Sequence, residues 1–154
     1  MITLLNAKAE DLNSRKTYVA MTQGMWAFES AYDTDGSLFV DKVDDATAAA
    51  YDKDKLGMVV YYPVAKDGSE SDYDDIDADT MVVWVNAPLV DVEDDKLASN
   101  NTTADWANAT FGTAMVVNVN GYLTLSGASD APTSATEVAE FLKYENGIVF
   151  YRTK

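Results

Sequence analysis

Carboxylates are the abundant reactive groups in this sequence. Twenty-six Asp and Glu side chains stand against eleven Lys and Arg, and there is no histidine and no cysteine. Without imidazole, Ser-His-Asp hydrolysis and the usual zinc hydrolase sites are excluded. Without thiols, disulfides, thiolate metal sites and thiol catalysis go too. What remains is oxygen chemistry: calcium binding, or a glycosidase pair of acid and nucleophile.

Two acidic stretches invite a calcium reading. In the first, Asp33-Thr34-Asp35-Gly36-Ser37, counting from Asp33 puts Asp44 at the twelfth position, where an EF-hand has a bidentate Glu. The glycine falls at the fourth position instead of the sixth. The match fails, and the better reading is a β-turn whose Asp side chains bond to the backbone. In the second, Asp72, Asp74, Asp75, Asp77 and Asp79 belong to a run, 67–79, in which seven of thirteen residues are acidic. Like charges repel and seldom pack, so this reads as a solvated loop or hairpin tip. No spacing singles out a carboxylate pair for catalysis, and no GxxxxGK[ST] or GxGxxG phosphate motif is present. No catalytic residue, metal ligand or cofactor is assigned. The sequons at Asn100, Asn101 and Asn108 read as incidental.

The aromatic residues divide by context. Trp26 and Trp84 lie in apolar strand-like runs and read as core. Trp106 lies in the polar stretch ADWANAT. It reads either as core or loop-covering packing or as an exposed interface anchor.

The formal charge of −15 argues against nucleic acid and against an anionic membrane surface as partners. It suits a partner with a basic face. The N-terminus, MITLLNAKAEDL, has no basic region followed by a long apolar run, so no signal peptide is expected. Apolar runs fall far short of the ~20 residues that span a bilayer.

The elements that must position these groups are mainly strands. Met1–Leu5 is short and apolar. It reads as a first strand or as an arm that adds to a partner's sheet edge, with the basic residues Lys8, Arg15 and Lys16 behind it. Ala7–Ser14 reads as a loop or one helical turn, and Thr17–Glu29 as a strand with Gly24 as a bend. Asp33–Gly36 turns into a strand over Leu38–Val43, with Leu38, Val40 and Lys42 on one face. Asp44–Lys55 is the expected helix of the first half. Met58–Val64, Thr80–Val85 and Val90–Val92 read as further strands. Asn120–Gly121 between apolar runs is a strong hairpin signal. Thr133–Tyr144 carries Ser134 and Glu137 at capping-box spacing, with Val138, Phe141 and Leu142 on one helical face, so a second helix is expected there. Asn146–Gly147 then turns into a closing strand, Ile148–Tyr151.

The halves align with an offset of 90 residues, Gly24–Phe28 over Ala114–Asn118 and Gly57–Tyr62 over Gly147–Arg152. The expected fold is therefore mainly β, a β-barrel or β-sandwich with one or two short helices. Two similar strand-strand-helix-strand lobes, 17–92 and 105–154, are one arrangement of the body 17–154. Residues 1–16 form an N-terminal arm.

The pattern Gly112-x-x-Met115-Val116-Val117, Asn120-Gly121-Tyr122-Leu123 and Gly147-Ile148-Val149-Phe150-Tyr151 resembles the small head decoration (cement) proteins of tailed bacteriophages. The resemblance implies a structural virion protein, without catalysis, on the outer capsid surface. It implies a homotrimer that clamps neighbouring major capsid subunits through an N-terminal arm. The matching contact positions here are Met1, Ile2, Thr3, Leu4, Leu5, Asn6 and Lys8; Trp106 is added on its own context. The acidic insertion 66–79 and the extra N-terminal half depart from the simplest members. A calcium- or glycan-binding β module of a phage fibre or cell-surface protein is the alternative.

Overall fold

The computed structural model describes residues 2–8, 10, 12–43, 55–61 and 75–154. Its architecture is mainly β, as the alternating apolar pattern requires. Five strands close into a barrel: β2 (Leu12–Thr17), β4 (Trp26–Tyr32), β5 (Leu38–Lys42), β6 (Leu56–Val60) and β8 (Met81–Val85), in the order β2-β5-β4-β6-β8. Six more form an open sheet: β1 (Ile2–Leu5), β9 (Asp91–Asp94), β10 (Ala114–Val117), β11 (Leu123–Leu125), β12 (Glu137–Glu145) and β13 (Ile148–Thr153), in the order β1-β9-β13-β12-β10-β11. A short ribbon pairs β3 (Met21–Thr22) with β7 (Asp75–Ile76).

The register separates the two faces of the barrel. Asn13 lies opposite Trp84, Arg15 opposite Val82, Thr17 opposite Val40, and Val40 opposite Glu29. Ala27 lies opposite Gly57, and Val59 opposite Trp84. These residues share one face, and their contacts cross intervening strands. The Trp84 indole N–H donates to the Ala27 carbonyl at 3.1 Å across β6, and Arg15 Nε donates to Glu29 Oε1 at 2.8 Å across β5. That face is therefore the barrel interior. Met21 and Ile76, from the ribbon, join its apolar cluster.

The outward residues of β4, β6 and β8 include Trp26, Leu56, Met58, Val60 and Val85. They merge with Ile2, Val92, Met115, Leu123, Phe141, Val149 and Tyr151 of the open sheet in one core. Strand β6 is thus buried along its whole length, which is why it reads as an unbroken apolar run. Burying such side chains contributes roughly 1.5–3 kcal/mol each.

The hairpin signals are realised. Val117 pairs with Leu123 around Gly121, which has φ +84°. Asn118 Oδ1 accepts the N–H groups of Asn120 and Tyr122, both at 3.0 Å. Asn146 and Gly147 both have positive φ, 53° and 84°, the conformation that a tight turn between β12 and β13 demands.

Four expectations need correction. Thr133–Tyr144 is not a helix; its C-terminal part is the nine-residue strand β12. Ser134 sits at φ +65° in the preceding turn, and Glu137 forms an ion pair with Lys154 instead of a capping box. The physical reason is a pair of bulges. The ladders of β12 shift register on either side of Val138 and again on either side of Leu142. Each inserts one extra residue, so the apolar side chains Val138, Phe141 and Leu142 fall three and four apart and mimic a helical period. The second half is consequently not a strand-strand-helix-strand lobe.

Ala7–Ser14 is not simply loop, since β2 begins at Leu12. Thr17–Glu29 is not one strand, because Gly24 (φ +83°) turns the chain between β3 and β4. The helix expected over Asp44–Lys55 lies, apart from Lys55, outside the described residues, as do residues 62–74 of the strand end and acidic run. The helices that are described lie elsewhere: α1 (Leu97–Asn100) and a 3-10 turn at Trp106–Asn108.

Candidate functional site

Residues 1–16, read as an arm, supply strands to both sheets. Ile2–Leu5 pairs with β9 in continuous register, Ile2 opposite Asp94, Thr3 opposite Glu93, Leu4 opposite Val92 and Leu5 opposite Asp91. The strand lies at one edge of the open sheet. Ile2 is buried, Thr3 and Leu4 are half-buried, and Leu5 is 38% exposed. Asn6 takes a positive φ of 61°, and its amide donates to Asp91 Oδ2 at 3.1 Å. Lys8 is an exposed side chain 3.8 Å from Glu10. Met1 lies outside the described residues.

Behind this edge lies a group that sequence reading missed. Asp94 is only 2% exposed. Its Oδ1 accepts the N–H groups of Lys96 at 3.0 Å and Leu97 at 2.9 Å, where α1 begins. The Tyr151 hydroxyl lies within hydrogen-bonding reach of its carboxyl group and 3.0 Å from Met58 Sδ. A Cβ at Gly24 would stand 2.8 Å from Ile2 Cδ1 and 3.4 Å from Asp94 Oδ2. The carboxyl group thus lies where the turn before β4, the start of α1 and β13 meet. Burial raises its pKa to about 6, against the lowering effect of the two backbone N–H groups. Burial, then the charge of Asp94 and the hydrogen bond with it, hold the Tyr151 phenol well above its ordinary value. The available sequence signal was an Asp shortly before the first helical residue, Leu97. It was hidden within the run Glu93-Asp94-Asp95-Lys96, which reads as a polar connection.

The acidic turn at Asp33–Gly36 also has a definite geometry. Asp33 Oδ1 accepts from Thr34 N at 2.6 Å, Asp35 Oδ1 accepts from Ser37 N at 2.8 Å, and Gly36 N donates to the Asp33 carbonyl at 3.0 Å. These are the turn bonds expected. The cation beside the turn is the chain's own: Lys16 Nζ lies 2.5 Å from Asp33, 3.6 Å from Asp35 and 3.9 Å from Asp79. The hydrogen bond with Lys16, followed by that from the Thr34 N–H, lowers the Asp33 pKa. The Ser37 bonds lower that of Asp35. Among the described residues no group of three or more acidic side chains is arranged to hold a metal ion.

Of the two readings of Trp106, packing is the one the fold realises. It is 5% exposed, donates Nε1–H to the Asn101 carbonyl at 3.0 Å and stacks on Phe141 with ring centroids 6.3 Å apart. Beside it is an open depression lined by Ala98, Thr102, Ala104, Asp105, Ala107 and Tyr144. Asp105 is held there by Asn108, so this surface offers shape more than free polar groups. Among the described residues no helix is long and apolar enough to cross a membrane.

No protein-family model matches this chain, and neither the curated proteins nor the solved structures compared with it give a match.

Proposed function

We propose that this chain is a structural virion protein. It binds the outer surface of a phage capsid as a homotrimer and clamps neighbouring major capsid subunits, with no catalytic role. The observation that carries the reading is the construction of the N-terminal segment. Ile2–Leu5 is a sheet-edge strand anchored by Ile2 in the core, so a load on it passes directly into a body of two sheets with one shared core. The resemblance to decoration proteins and the acidic surface, suited to a basic partner, support the same reading. The acidic turn that would serve a calcium-binding module already holds the Lys16 ammonium, and this favours the structural reading over that alternative.

The test is decoration of particles. The reading frames beside this gene should include a major capsid protein. Particles assembled from that protein should co-sediment the purified chain saturably. A chain that stays in the supernatant at saturating particle concentration refutes the proposal.

A further inference from the structure

The two edges of the open sheet are not equivalent. At β11 the Leu123 carbonyl accepts the Asn101 side-chain amide at 2.9 Å, so that edge carries a hydrogen-bond partner from this chain itself. At β1, among the described residues, Thr3, Leu4 and Leu5 make no hydrogen bond beyond their pairing with β9. Exposed edges are normally blunted by Lys, Pro or a bulge. Strand β1 reads Ile-Thr-Leu-Leu in unbroken register and has none of these.

The side chains next to this edge specify an occupant. Glu93 lies opposite Thr3 on the outer face and is half-buried. Among the described residues it forms no hydrogen bond and no ion pair, whereas its neighbour Asp91 is held by Arg152 at 2.7 Å and by Asn6. A strand added outside β1 would place its backbone two strand spacings, about 10 Å, from β9. A long basic side chain opposite Thr3 would lie over that small residue and meet the Glu93 carboxylate. Two residues along, Leu5 offers apolar contact. Edge-to-edge pairing with a second copy of this chain is disfavoured, because it would bring another Glu93 beside the first.

We infer that the outer edge of β1 docks an extended, basic segment of a different protein. That segment places a Lys or Arg opposite Thr3, reaching Glu93, and an apolar residue opposite Leu5. The inference deepens the proposed function, since it rests on the N-terminal segment as the contact element and states how the contact is made.

The experiment uses the full chain and two short extended peptides, one in which lysine and valine alternate on the same face, two residues apart with threonine between them, and one with glutamate in place of each lysine. Amide hydrogen exchange is followed residue by residue. The lysine peptide should slow exchange within Thr3–Leu5 and leave β11 unchanged, and the glutamate peptide should not. Glu93→Gln should weaken lysine-peptide binding about two- to fivefold, the range of an exposed ion pair. Equal protection by both peptides overturns the inference, and so does protection elsewhere or an unaltered affinity in Glu93→Gln. Protection of Thr3–Leu5 in concentrated protein without peptide overturns it as well, because the occupant is then a second copy. If the lysine peptide binds as described while capsid particles stay undecorated, the edge assignment stands and the capsid reading falls.

Discussion

At the scale of single residues, Asp94 sets the pH response. Its folded-state pKa of about 6 lies above the ~3.9 of an unfolded Asp. Between those values the folded state binds more protons than the unfolded one, so stability falls as pH rises from ~4 to ~6 and then levels off. A shift of this size is worth on the order of 3 kcal/mol. Asp94→Asn keeps an oxygen for the Lys96 and Leu97 N–H groups and removes the ionisation. Its urea midpoint should stay flat from mildly acidic to neutral pH, where the parent declines, and should exceed the parent's at neutral pH. Parallel curves for the two proteins would show that Asp94 does not carry the effect. Asp33 and Asp35 act in the opposite sense. Their lowered pKa values mean that the stability they contribute is present above the unfolded pKa and lost as pH falls through the folded one. Together the two limbs place the stability maximum on the acidic side of neutrality.

At the scale of elements, close approach between strands decides what is tolerated. A Cβ on Gly57 would stand 2.4 Å from the Trp84 ring, in the middle of a strand buried on both sides. Gly57→Ala should destabilise by at least about 1–3 kcal/mol, as overpacking does. Gly127→Ala adds a Cβ with nothing within 4 Å, and its thermal midpoint should match the parent's. Equal midpoints for the two variants would contradict the packing of Trp84 across β6. The hairpins make a second contrast. Asn120–Gly121 and Asn146–Gly147 were legible because a tight turn needs positive φ and Asn-Gly supplies it. Strand β12 was not legible. Its bulges at Val138 and Leu142 depend on partners in β10 and β13, and locally they give the spacing of an amphipathic helix.

For the whole molecule, charge and topology pull in different directions. A net charge of −15 on a compact body produces self-repulsion, which added salt screens. The thermal midpoint at neutral pH should therefore rise as sodium chloride is raised from low millimolar to near-molar levels. A midpoint that falls would mean that the Lys16 and Arg15 ion pairs outweigh the repulsion. The topology spreads the N-terminus across both sheets, β1 in one and β2 in the other. Truncation before β2 should thus lower stability as well as remove an edge, because Ile2 belongs to the shared core.

The sequence alone determined the mainly β class, the Asn-Gly hairpins, the Asp33–Gly36 turn and the burial of Trp26 and Trp84. Each follows from local backbone preference or from the alternation of apolar side chains. Tertiary structure decided the rest. It made 137–145 a strand, buried Trp106 against Phe141, and set the Lys16 ammonium beside the acidic turn. It also brought Ile2 opposite Asp94 across 92 positions of sequence, leaving the outer edge of β1 unpaired among the described residues. These are pairings between distant segments, and no local pattern of residue types encodes which distant segment will be the partner.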